Sequence, residues 1–205
     1  RRFNEILQRY KAGKVNLERR LIENEQWWKL RHSDGMRNTT ARDADKSAWL
    51  ANVIMQKHAD AMDAYPTCSC LPHEPGDRAE ARKLSSIIPA ILRQTEFERV
   101  YSDCWWQKLK GGTGCYQVTW DGSKLGGLGD IAICKINLLN LFWEPGVEDL
   151  QDSAYIFHLA LADKERLQEH YPALEGKAMS RGPLTVSEFV YDDAVRTDDK
   201  ALVVS

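Results

Sequence analysis

The chain has 205 residues, 43% of them hydrophobic and 28% charged, with a formal net charge of −2. That balance allows a packed core in one compact domain or two small ones, excludes wholesale disorder, and gives no global nucleic-acid or membrane signature. No apolar run approaches the roughly 18–20 residues that a membrane span needs, and the first residues do not read as a signal peptide. Five cysteines (68, 70, 104, 115 and 134) are an odd number. Three sit inside apolar patterns, which suits buried thiols in a reducing cytosol better than a disulfide framework. Both ends read as cut: no initiating Met is present, and Ala201–Val204 begins a strand with nothing after it. A fragment of a longer polypeptide is expected.

The first third reads as helical. Phe3, Ile6, Leu7 and Tyr10 fall on one stripe, interrupted at Ala12 and Gly13. Leu17, Leu21, Asn24 and Trp28 then make a thinner stripe with charge on the other faces, the pattern of a helix lying on another subunit or domain. Residues 1–32 hold nine Lys/Arg against four Glu. Such a helix can track phosphates, with Arg19 and Arg20 the candidate contacts, although a solvated face is the commoner explanation. Residues 33–42 read as a polar loop. Asp43 or Asp45 can cap the next helix, whose core face is Leu50, Val53, Ile54, Ala61, Met62 and Tyr65 and which Pro66 stops.

Asp77 with Glu80, and Thr95 with Glu98, have the spacing of capping boxes. The helix after Asp77 is predicted to bury Leu84, Ile87, Ile88 and Ile91. Pro89 within it lacks an N–H and crowds the carbonyl one turn back, which predicts a kink or break. The helix after Thr95 presents Phe97, Val100, Tyr101, Cys104 and Trp105 and ends at Gly111 and Gly112.

The hydrophobic period then changes from 3.6 to 2. Strands near 114–120, 130–136 and 153–161 are predicted to form one small antiparallel sheet, with Asp121-Gly122 as a turn signal and Gly126, Gly127 and Gly129 in the connection. Asp163 caps a short helix through Leu167, which Pro172 terminates. Residues 173–185 read as loop. Ser187–Tyr191 and Leu202–Val204 read as strands on either side of an acidic loop holding Asp192, Asp193, Asp198 and Asp199. The expected fold class is α+β, with an amino-terminal helical layer over residues 1–112 and a small, mostly antiparallel β-rich region over 113–205.

Few constellations carry chemistry. Cys68 and Cys70 with His73 form the best metal candidate, but a tetrahedral site wants a fourth ligand and usually two residues between the cysteines. An ordinary loop is the favoured reading. Gly111, Gly112 and Gly114, like Gly126, Gly127 and Gly129, lack the Lys-Ser/Thr of a phosphate loop and the spacing of a dinucleotide fingerprint; turn glycines account for them. His58 and His158 sit in apolar surroundings, and nothing in the spacing joins either to a nucleophile and a carboxylate. The paired acids at 192–193 and 198–199 could hold a hard cation, yet a solvated turn is favoured. Catalytic residues, cofactor and metal are therefore expected to be none. Of the seven tryptophans, four occur as adjacent pairs, Trp27 with Trp28 and Trp105 with Trp106. Helix neighbours point about 100° apart, so one ring of a pair can fill a core while the other meets a second contact. Interfaces between proteins are enriched in such residues; stacking on single-stranded nucleic acid is the alternative.

With these features in hand, the chain resembles the portal proteins of tailed bacteriophages and prophages, the ring-forming head–tail connectors. The matching words are Glu23–His32, Asn52–Met62, Lys83–Leu92 and Tyr101–Gly114. The most family-typical is Asn140–Leu150, leading to Ala154–His158. Similarity spans nearly all of residues 20–200, and none of these words is a catalytic motif. The resemblance implies a structural subunit of a ring, usually a dodecamer, at one capsid vertex of the virion, assembled in the host cytoplasm. Double-stranded DNA would pass through its axial channel, driven by a terminase that performs the ATP hydrolysis. Head-completion, capsid and tail proteins would be the other partners, with no cofactor and no membrane. This fragment would be the amino-terminal, wing-like part, with the stem helices, tunnel loop and clip beyond residue 205. The basic first helix would then be an intersubunit or capsid-facing surface. The reading from a different class is a nucleic-acid-binding adaptor using that helix.

Overall fold

The structure is a computed structural model that describes residues 2–30, 47–174 and 200–205. The polar loop at 33–42, the caps proposed at Asp43 and Asp45, most of the loop at 173–185, the strand proposed at Ser187–Tyr191 and the acids at 192, 193, 198 and 199 lie outside the described residues. The fold class is α+β: helices α1 (Arg2–Trp28), α2 (Trp49–Asp63), α3 (Arg78–Gln94), α4 (Phe97–Gly111) and α5 (Lys164–His170), with strands β1 (Cys115–Asp121), β2 (Asp130–Ile136), β3 (Leu141–Phe142), β4 (Phe157–Asp163) and β5 (Lys200–Val204). The chain divides into two compact units, Arg1–His32 with Asn137–Ser205, and Ser33–Ile136. This partition cuts across the helical and β-rich regions read from the sequence, since each unit holds both helix and strand.

In the first unit α1 packs on the antiparallel sheet β3-β4-β5. Leu7 and Tyr10, one turn apart on α1, meet Phe142 of β3 and Phe157 and Leu159 of β4, with Ile6 and Leu202 closing the sides. Alternation along β4 places Phe157 and Leu159 on the same face, which is the face toward the helix. Tyr10, Phe142 and Leu159 are fully buried, and the Tyr10 and Phe157 rings meet edge to face at 5.8 Å. The gap in the apolar stripe at Ala12 and Gly13 is not a break in the helix, because α1 runs continuously from Arg2 to Trp28. A glycine in a helix interior costs about 1 kcal/mol relative to alanine. Here it permits a close approach, since a Cβ at Gly13 would stand 2.5 Å from Cγ of Pro145.

The second unit holds α2, α3 and α4 and the ribbon β1–β2, paired in unbroken register from Cys115↔Ile136 to Asp121↔Asp130. The strands near 114–120 and 130–136 therefore form their own two-stranded sheet, and the single three-stranded sheet expected from the sequence is two separate sheets. The last of those strands also starts later, at Phe157 rather than 153. Local side-chain bonds hold the preceding residues in a turn. Asp149 accepts from the Gln151 N–H, and the Ser153 hydroxyl binds the Glu144 N–H and the Tyr155 carbonyl.

Several helix ends differ from expectation as well. The box at Asp77 is formed backwards, with Glu74: the Glu74 N–H donates to Asp77 Oδ2 at 3.3 Å and the pair closes a 3-10 turn before α3. Thr95 ends α3 instead of starting α4, its hydroxyl donating to the Ile91 carbonyl at 2.9 Å. Glu96, at φ +51°, takes the N-cap position of α4. α3 continues through Pro89 to Gln94 without a break. α4 ends as read from the sequence, with Gly112 at φ +87° and its N–H on the Lys108 carbonyl. The largest difference is burial. Of the residues assigned to the core faces of α2 and α3, only Ile54 is buried, while Leu50, Val53, Leu84 and Ile87 remain about half exposed. Ala61, Met62, Tyr65, Ile88 and Ile91 are half-buried, so each stripe is covered only in part.

Candidate functional site

The segment Leu138–Pro145 is seated on α1, and the contacts explain its composition. Lys14 lies one turn beyond Tyr10 on the buried side of α1 and is only 6% exposed. Its ammonium donates to the carbonyls of Leu138 and Leu139 at 2.6 and 2.9 Å. It also stands 4.0 Å from the centre of the Phe142 ring and 5.9 Å from that of Trp143, with Glu18 at 3.7 Å one turn on. Arg9 reaches Glu144 at 3.8 Å, and Gly13 makes room for Pro145. The sequence Leu138–Pro145 thus reads out one strip of α1 at positions 9, 13 and 14. A buried ammonium held by two carbonyls and a ring face satisfies its desolvation and pins backbone that would otherwise be a loop. Sequence reading had placed Lys14 among the solvated charges. The signal available was its spacing four residues after Tyr10, on the apolar stripe.

Trp105 and Trp106 divide their contacts as helix geometry requires. Trp106 stacks on His58 of α2 at 4.1 Å and 15°. Trp105 lies edge-on to Tyr101 at 6.2 Å and carries the Lys108 ammonium 4.1 Å from its ring centre. Tyr101 continues through Tyr65 and Phe97 to Tyr116 as a row of tilted or edge-on rings. Both members of this pair are half-buried within their own unit. Trp27 is 53% exposed near the end of α1, with Trp28 half-buried beside it. Arg19 and Arg20 are exposed on α1.

The structure brings together one pair that spacing alone did not: His58 and Ser102, whose ring Nε2 lies 3.1 Å from the hydroxyl and 3.2 Å from the carbonyl of the same serine. The serine is inside α4, where its N–H belongs to the helix, so it has no free N–H to stabilise an oxyanion. No carboxylate orients the other ring nitrogen among the described residues. The pair ties α2 to α4. A cavity of about 780 Å³ opens nearby, lined by Met62, Tyr65, Cys68, Leu92, Arg93 and Arg99 among others. Burial, then the Glu98 carboxylate, raises the Tyr65 pKa. Arg99 is engaged by Glu96 at 3.1 Å.

Cys68 is exposed, and the backbone N–H and carbonyl of Cys70 are both held by the Ser85 hydroxyl. No three His, Cys, Asp or Glu side chains converge on a metal-sized site among the described residues. Burial pushes the Cys104 thiol up, against the opposing effect of Lys135, so this cysteine is a poor nucleophile. Gly126, Gly127 and Gly129 all have positive φ in the β1–β2 connection, and a Cβ at Gly129 would strike the Trp120 indole. Asp121 starts that turn, its carboxyl held below the usual range by hydrogen bonds from the Ser123 hydroxyl and N–H. Among the described residues no helix is long and apolar enough to cross a membrane. No family model matches the chain, and no curated protein matches it.

Proposed function

We propose that the chain is part of a structural subunit of a phage portal ring, serving as scaffold at the capsid vertex and performing no catalysis of its own. The observation that carries this reading is the surface of the second unit. Well-formed helices and strands there hold apolar side chains in regular register, Leu50 and Val53 on α2, Leu84 and Ile87 on α3, Val118 and Trp120 on β1, and leave them exposed. Surfaces of that kind mark contacts with other proteins. The segment Asn140–Leu150 supports the same reading, because Phe142, Glu144 and Pro145 serve to fix it on α1. In this reading the ring, of about twelve copies by resemblance, conducts double-stranded DNA during packaging and ejection and docks terminase, head-completion and capsid proteins. Negative-stain images of the full-length gene product test it: rings with a central hole are expected, and monodisperse monomers would overturn it.

The exposed Arg19 and Arg20 support the second reading, a nucleic-acid-binding adaptor. It predicts DNA affinity that falls steeply with salt and with neutralisation of both arginines. Salt-insensitive or absent binding removes it. Lys14 contributes nothing to that surface, being committed to backbone carbonyls.

A further inference from the structure

The two ends of α2 differ in what they lack. At its start, Ala48 in the N-cap position has no side-chain acceptor, and the N–H groups of Trp49, Leu50 and Ala51 meet none among the described residues; the first bond of the helix runs from the Asn52 N–H to the Ala48 carbonyl. Such a start carries a partial positive charge and wants an acceptor. Trp49, at the same end, is 76% exposed. At the other end of α2 lies the cavity of about 780 Å³, with apolar walls from Met62, Tyr65, Pro66, Pro89 and Leu92. Of the charged residues that line it, Glu96 and Arg99 engage each other at 3.1 Å. Arg93 and Glu98 make no ion pair among the described residues. We infer that this cavity is the seat for Trp49 and the uncapped first turn of α2 from a neighbouring copy of this chain.

Complementarity names the occupant. An indole fills an apolar cavity with its ring while its N–H needs an acceptor, and the Glu98 carboxylate supplies one. The same carboxylate matches the positive end of α2, and the Arg93 guanidinium is suited to lie over the ring face. Tryptophan is prominent among the residues that anchor interfaces from within such pockets. A chain cannot fill its own cavity in this way, because Trp49 and Met62 are about 20 Å apart along α2. Anchor and seat are different surfaces, so the contact is head-to-tail. It repeats from copy to copy and closes as a ring where the rotation allows. The inference therefore deepens the ring reading and rests on it.

The test is photo-cross-linking of the full-length gene product with p-benzoylphenylalanine in place of Trp49, which keeps an aromatic anchor at that position. In assembled rings the expected product joins position 49 of one copy to residues 62–68 or 89–102 of the next, in a band of at least dimer mass, located by peptide mapping. Rings whose cross-links fall elsewhere, or that give none, overturn the inference and leave the ring reading standing. A product that forms no rings overturns both. Independently, Trp49→Ala should raise the concentration needed for assembly about tenfold or more. The urea midpoint of the unassembled chain should stay where it is, since the ring is exposed there. Assembly unaffected by Trp49→Ala overturns the inference as well.

Discussion

The two units of this chain solve burial in opposite ways. The first closes a core from residues far apart in sequence, Leu7 and Tyr10 against Phe142, Phe157 and Leu159, and even buries a lysine to complete it. The second is held by Ile54, Ala81, Val100, Cys104 and Ile136 and a row of aromatic rings, while Leu84, Ile87, Val118 and Trp120 stay in contact with solvent. The lesson is that amphipathic patterning and burial are separate facts. Patterning makes the element, but something else must supply the cover: the first unit encloses Tyr10, Phe142 and Leu159 completely while leaving Phe3, Val15 and Trp27 exposed, and the second, among the described residues, encloses no large side chain completely.

The contrast can be broken most sharply by truncation. Phe142→Ala should destabilise the first unit by about 3–5 kcal/mol, measured as loss of hydrogen-exchange protection in β4. Leu84→Ala in α3 of the unassembled chain should change stability by about 1 kcal/mol or less, since little is buried to lose. Comparable losses at both sites would erase the distinction. Lys14→Met comes next: it leaves the Leu138 and Leu139 carbonyls without their donor and should cost about 1–3 kcal/mol in urea unfolding of the first unit.

Gly13→Ala sharpens the account because two effects oppose each other. Helix propensity alone predicts a gain of about 1 kcal/mol, whereas contact with Pro145 predicts a loss of about 1–3 kcal/mol. Destabilisation is expected, and a more stable protein would show that Pro145 yields. The smallest effect is electrostatic. Burial lowers the His158 pKa below its ordinary value, so below about pH 6.5 the unfolded chain binds more protons than the folded one. Stability of the β4–β5 pairing should therefore be full above that pH and decline beneath it, read as faster exchange of the His158 and Ser205 amides, which bond each other's carbonyls. His158→Gln should flatten the profile.

Legibility in the sequence followed the range of the interaction rather than the unit. α4 was readable to its last residue because Gly112 supplies a left-handed cap, and β1 and β2 were readable from alternation and glycine turns. Local chemistry misled where two local solutions compete: Glu74 and Thr95 make hydrogen bonds that outbid the boxes at Asp77 and Glu98. What lay beyond reach was long-range. No local rule joins Lys14 to Leu138, Gly13 to Pro145 or His58 to Ser102, and no periodicity tells whether a stripe such as Leu84 and Ile87 meets protein or water.

The central claim is that the uncovered faces of the second unit are covered by other molecules in the assembled protein. Hydroxyl-radical footprinting of the full-length assembly against the unassembled chain measures it residue by residue. Labelling at Leu84, Ile87, Val118 and Trp120 should fall several-fold on assembly while buried Phe142 and Leu159 stay low in both states. Unchanged labelling at those four positions in the assembly would contradict the account.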